Sequence, residues 1–101
     1  MDDGYYADDK MAKLAVDIER DVLAVGGEWH ADVKDILCAD GSVAKNIWGV
    51  NLYPWNKPHE RIVYNSLINL KPSIRHLNMS ITDHDLQAKI RSVITSLLIN
   101  D

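Results

Sequence analysis

Hydrophobic and polar residues alternate along residues 11–20, and this period of two predicts a half-buried β-strand. Leu14, Val16 and Ile18 fall on one face, and the two β-branched residues favour a strand over a helix. A short apolar run follows at residues 21–27 and ends at two glycines. Because few polar residues separate the two runs, we predict that they form a β-hairpin.

A second pair of strands is predicted at residues 46–55 and 61–70, which are rich in aromatic and β-branched side chains. Pro54 ends the first segment and Pro72 follows the second. We expect these two segments to pair antiparallel.

The C-terminal residues carry the clearest helical pattern of the chain. Thr82 and Asp85 have the spacing of a capping box, so we expect a helix over residues 82–99. Four apolar residues recur at helical spacing and are expected to be buried against the sheet: Leu86, Ile90, Val93 and Leu97.

Residues 30–39 are compatible with two structures. As a short helix, the segment has Asp32 as its N-cap and Gly41 just beyond its C-terminal end. As a strand, it alternates Val33, Asp35 and Leu37. We favour the strand or another extended structure and leave the helix as the alternative.

Together these elements predict an α+β fold, an antiparallel β-sheet of about four strands with a C-terminal α-helix packed on one face. The chain of 101 residues fits a single domain, residues 1–101, and the polar, acidic residues 1–10 are expected to form a flexible tail.

Charge and composition exclude several classes of protein. The formal net charge of −4 opposes general nucleic-acid binding, which needs a basic surface. The sequence lacks an apolar run of roughly 18 residues, and its acidic start is unlike a signal peptide, so we expect no membrane association. Cys38 is the one cysteine, which rules out an internal disulfide and favours a cytoplasmic location.

One face of the predicted sheet collects polar side chains. Asn51 and Tyr53 share a face of their strand, and Asn69 lies on the polar side of the next one. Antiparallel sheets commonly expose one polar face to solvent, and that is the simpler interpretation. The alternative is a shallow ligand surface, because amides donate and accept hydrogen bonds and asparagine is uncommon in strands.

His30 and Asp32 form a second candidate pair, since alternate residues of a strand point to the same side. An imidazole and a carboxylate at this spacing can take part in catalysis or bind a metal. A zinc site needs further ligands, and the remaining cysteine and histidines have no recognised spacing. We therefore expect a local structural role, with no metal and no cofactor.

Four segments resemble, in the same order, a small bacterial domain family of unknown function: "LAVDIERDVLAVGGEWHAD", "DGS", "WGVNLYP" and "SLINLKPS". The resemblance spans about residues 14–73 and brings no known reaction or ligand. The candidate binding residues that the family pattern and the strand faces support are Glu28, His30, Asp32, Asn51, Tyr53, Ser66 and Asn69.

The chain also departs from this family pattern. Val25 replaces a glycine, Val33 a cysteine and Lys71 an arginine, and residues 74–80 replace a basic segment. If the basic segment holds an anion in relatives, the resemblance implies that this chain has weakened or lost that activity.

The favoured hypothesis is a non-catalytic ligand-binding or protein-interaction module that forms a homodimer through a sheet edge. The rival is a small enzyme or metal-dependent protein that uses His30, Asp32 and the face carrying Asn51, Tyr53 and Asn69.

Overall fold

A computed structural model describes residues 11–26, 29–57 and 60–99 and shows a four-stranded antiparallel sheet with one helix on each face. The strands lie in the order β2-β1-β3-β4. Their bounds, with those of the helices, are β1 Ala12–Asp17, β2 Val22–Gly26, α1 His30–Ala39, β3 Ile47–Leu52, β4 Ile62–Val63 and α2 His84–Ile94. The predicted α+β class is therefore confirmed, as are both antiparallel pairs. The expected tail at residues 1–10 lies outside the described residues.

The larger hydrophobic core lies between the sheet and α2. Leu14 of β1 pairs with Val50 of β3, and Val16 pairs with Trp48, so these side chains share one face. Ile90 and Ile94 of α2 pack against them, and both are fully buried. The same face takes Ala12, Leu52, Ile62, Ile81 and Val93. This arrangement is the predicted docking of the C-terminal helix on the sheet.

The opposite face of the sheet is covered by α1, which the sequence analysis assigned to a strand or other extended structure. Val33 and Leu37 lie one helical turn apart and are buried against Ala15 and Ile47. The helix begins at His30, two residues before the predicted cap. The preference for a strand was wrong. Val33 and Leu37 are four residues apart, and this spacing fits the period of two of a strand as well as the period of a helix.

The predicted long strand over residues 61–70 is also wrong, since β4 ends at Val63. Beyond it the chain turns through two short 3₁₀ segments, Leu67–Asn69 and Pro72–Ile74. The Ser66 hydroxyl accepts a hydrogen bond from the Ile68 amide and begins the first of them. A side chain that captures the backbone in this way competes with strand pairing.

The C-terminal helix differs from the prediction at both ends. Its N-cap is Asp83, one residue after the predicted Thr82, and the Asp83 carboxylate accepts hydrogen bonds from the next amides. After Ile94 the chain widens into a π-helical turn, Thr95–Ile99. Ile90 and Val93 are buried, as predicted, whereas Leu86 is only half-buried and Leu97 is 52% exposed. The wider turn changes the angular spacing that had placed Leu97 on the buried face.

Candidate functional site

Two of the segments that carry the family resemblance, the one that contains Asp17 and Arg20 and the "DGS" segment, meet in one polar cluster at the end of β1. The Asp17 carboxylate accepts hydrogen bonds from the amides of Glu19 and Arg20, at 2.8 and 3.1 Å. The Arg20 guanidinium donates to the Ser42 hydroxyl at 2.7 Å and pairs with Asp40 at 3.0 Å. This cluster therefore joins the β1–β2 turn to the loop that precedes β3.

The Asp17 carboxylate is buried yet charged. Burial by itself would raise the pKa of Asp17, but hydrogen bonds from Ser42 and from the two turn amides, with the charge of Arg20, outweigh it and lower the pKa below 3.8. Ser42 can donate to Asp17 because its oxygen accepts from Arg20. These contacts join Asp17 Oδ1, Arg20, Ser42 and Asp40 to one another, while Asp17 Oδ2 is buried without a hydrogen-bond partner among the described residues. The cluster therefore mainly fixes the local structure of the two loops.

His30 and Asp32, the second candidate pair, do not face each other. Both lie in the first turn of α1, where residues two apart do not face each other. His30 donates from Nε2 to the Val50 carbonyl oxygen at 2.8 Å. Burial, and also the nearby charge of Lys13, lower the pKa of His30 below its ordinary value, while this hydrogen bond acts in the opposite direction. In the three described ranges, His, Cys, Asp and Glu form no group of three able to hold a metal ion.

Asn69 is fully buried and bonded to backbone groups. Its Oδ1 accepts from the Gly49 amide at 2.8 Å, and its Nδ2 donates to the Gly49 carbonyl at 3.0 Å. Nδ2 also donates to the Met79 carbonyl at 2.9 Å. The carboxamide thus forms hydrogen bonds with both the N–H and the C=O group of Gly49, as the backbone of a neighbouring strand would.

The predicted accessible patch is therefore wrong for Asn69. Asn51 is half-buried and donates weakly to the Asn65 carbonyl at 3.4 Å, while its Oδ1 is buried without a partner. Tyr53 is half-buried and Ser66 is buried. Glu28, the remaining candidate, lies outside the described residues. The polar residues of β3 and the following segment mainly hold the chain in place.

The structure instead brings three lysines together around an open cleft, which we call the lysine cleft. Its volume is about 430 Å³. Lys34 comes from α1, Lys45 from the loop before β3, and Lys71 from the segment after β4. The other lining residues are Ala44, Leu67, Ile68, Leu70, Pro72 and Ser73.

Lys71 is held by its backbone and by its side chain. Its amide and carbonyl pair with His76 across a tight turn, which Arg75 closes in the left-handed region at φ 63°. Its Nζ donates to the Ala44 carbonyl at 2.9 Å and lies 5.0 Å from the centroid of the Trp48 ring. His76 meets Trp48 edge-on, with a centroid separation of 4.8 Å. The ammonium is therefore fixed at the cleft.

The charge of Lys71 is only partly compensated. Lys71 is 7% exposed and makes no ion pair with any of the described residues. Burial, and then the charge of Lys34, lower the pKa of Lys71 to about 8, and the nearby Cys38 opposes this. A carbonyl oxygen and an aromatic face stabilise the cation, but neither carries a negative charge.

Sequence reasoning missed this cleft because its lysines are separated by 11 and 26 positions along the chain, from Lys34 to Lys45 and then to Lys71. In the sequence, Lys71 stands out only as a replacement for an arginine of the family pattern. That basic position, followed by Pro72 and Ser73, was the one available signal.

The fold and the site together define a small α+β domain with a sheet covered on both faces and a cationic cleft at one side. None of the helices in the described ranges is long and apolar enough to cross a lipid bilayer. The family described as "Protein of unknown function (DUF5674)" matches residues 5–97. The chain belongs to this family. Searches of the curated proteins and of the solved structures found no match.

Proposed function

We propose that this domain is a non-catalytic binding module whose lysine cleft binds an anionic group, a phosphate or a carboxylate. The observation that supports it is the buried Lys71 ammonium, which lines a cleft with two further lysines and has no carboxylate partner among the described residues. Charged side chains are rarely buried unless they are paired, so an unpaired buried cation beside open space favours an anionic ligand.

The balance of charge strengthens the proposal. The chain carries 15 acidic and 11 basic residues, yet the charged residues that line the cleft are all lysines. Positive charges held close together repel one another, and an anion between them removes that repulsion. Lysines act as point charges with several donors, so they suit phosphate as well as carboxylate.

Binding should also depend on pH. An anion prefers the protonated form of Lys71, so its affinity is expected to fall as the pH rises through about 8, the pKa of Lys71 in the free protein. Below that pH, the affinity for a carboxylate should change little until the carboxylate itself is protonated.

The test is a titration with inorganic phosphate followed by ¹H–¹⁵N NMR at pH 7 and constant ionic strength. We expect saturable shifts concentrated at the amides of Lys45, Lys71 and Ser73, which line the cleft. Lys71→Met should weaken binding at least tenfold while keeping the fold, because it removes a buried charge and leaves the carbonyl of exposed Ala44 to water.

Two further variants test whether binding depends on the charge of Lys71 and on its position in the cleft. Lys71→Arg keeps the charge and should retain binding. Lys57→Met is the matched control, since Lys57 is exposed and lies outside the cleft lining. Equal affinity of wild type and Lys71→Met, or shifts scattered over the whole surface, would contradict the proposal.

A further inference from the structure

Besides its lysines, the lysine cleft is lined by an apolar wall formed by Leu67, Ile68 and Leu70. Leu67 is 69% exposed and Leu70 is 41% exposed, and both line the cleft with the half-buried Ile68. Single exposed apolar residues are common on protein surfaces. Here two exposed leucines adjoin the half-buried Ile68 and line the same cleft as a buried cation. Contiguous apolar surface of this kind marks binding sites.

This wall is held rigidly. Asn69 lies within the same short segment and is anchored to Gly49 by two hydrogen bonds, so the segment cannot turn its leucines inward without breaking them. Ser66 fixes the start of the segment through its hydrogen bond from the Ile68 amide at 3.3 Å. The exposure of Leu67 and Leu70 is therefore part of the native structure.

The volume of the cleft exceeds what a bare anion needs. At about 430 Å³, the cleft falls in the range of sites that take small organic ligands, about 300–1,000 Å³. A phosphate or carboxylate group held at Lys71 fills only a small part of that space.

We infer that the lysine cleft takes a small amphiphilic anion, one whose charged head pairs with Lys71, Lys34 and Lys45 and whose short alkyl chain lies on Leu67, Ile68 and Leu70. This inference rests on the proposed function and adds the chemical class of the ligand. A phosphate monoester and a fatty carboxylate share the required chemistry, and the two head groups are separate arms of the test.

The experiment measures the affinity of the full chain for two homologous series by NMR titration, below the concentrations at which the probes aggregate. The phosphate series is inorganic phosphate, butyl phosphate and hexyl phosphate, and the carboxylate series is acetate, butyrate and hexanoate. We expect affinity to rise with chain length, by up to about fourfold for each methylene that the wall covers. The series with the greater affinity identifies the head group.

Leu67→Ser should abolish the dependence on chain length and leave the affinity for inorganic phosphate or acetate within about twofold. Leu77→Ser is the matched control, because Leu77 is 71% exposed and lies outside the cleft lining. Both changes fall on exposed side chains, so both variants should fold.

The possible failures are distinguishable. Equal affinities along both series overturn the amphiphilic ligand and leave anion binding intact, as does an equal loss of chain-length dependence in Leu67→Ser and Leu77→Ser. Absence of binding by every probe overturns both this inference and the proposed function.

Discussion

Replacing Asn69 by alanine should destabilise the domain severely, because the Asn69 carboxamide takes the place of a paired strand at the β3 edge. The substitution removes three hydrogen bonds, two to Gly49 and one to Met79. Each neutral hydrogen bond contributes about 1 kcal/mol net, and a buried backbone group left unpaired costs about 1–3 kcal/mol. The loss is therefore expected at about 3–5 kcal/mol.

A loss of that size is a large part of the roughly 5–10 kcal/mol that stabilises a small domain. The assay is urea denaturation followed by circular dichroism, with Asn78→Ala as the matched control because Asn78 is exposed. The control should change stability by less than about 0.5 kcal/mol.

Asn69→Asp gives a second readout from the same geometry. The aspartate places a carboxylate oxygen where Nδ2 now donates to two carbonyl groups. Protonation restores one donor, so the pKa of the new carboxyl is raised and the deficit relative to wild type should shrink as the pH falls. A midpoint for Asn69→Ala close to that of the control would refute the account of Asn69.

Four other substitutions test the fold, each by the same denaturation assay. Ile90→Ala should lower the free energy of unfolding by about 2–4 kcal/mol, because Ile90 is fully buried. Leu97→Ala, at a position that is 52% exposed, should lower it by less than about 1 kcal/mol. Similar losses for the two variants would contradict the docking of α2. Gly49→Ala should destabilise the domain by about 1–3 kcal/mol, because the added Cβ would lie 2.7 Å from the Ser66 side chain. A neutral effect would show that the segment containing Ser66 does not pack against Gly49. The wild-type protein should lose stability as the pH falls below 3.8, the pKa of Asp17 in the unfolded chain, towards the lower pKa of Asp17 in the folded protein. Asp17→Asn should lose less stability over this pH range. An equal loss in the two proteins would contradict the assignment of Asp17 as buried and charged.

The two central strands of the sheet, β1 and β3, could be predicted because hydrophobic residues alternate with other residues along them. Leu14 and Val16 are spaced by two in β1, as are Trp48, Val50 and Leu52 in β3, and all of them face α2. The alternation alone therefore identifies β1 and β3. The buried Ile90 and Val93 and the half-buried Leu86 also follow the helical period until the π-helical turn begins.

The errors arose where tertiary contacts decide the structure. Residues 61–70 have the composition of a strand, but the Ser66 and Asn69 side chains bond to backbone groups and fold the segment into a turn. The sequence makes Asn51 and Asn69 possible ligand-binding groups on the predicted polar face. In the structure, the buried Asn69 forms hydrogen bonds with backbone groups instead. The three lysines of the cleft come from separate segments, so their meeting depends on how α1 packs on the sheet.

The most direct test of the central claim is the pKa of Lys71 measured by NMR of its side-chain nitrogen, with and without saturating inorganic phosphate. In the free protein, burial holds the pKa of Lys71 at about 8. Phosphate bound in the lysine cleft favours the charged amine, so the account predicts that the pKa of Lys71 rises towards its ordinary value of 10.5. A pKa that phosphate leaves unchanged would contradict anion binding at this cleft.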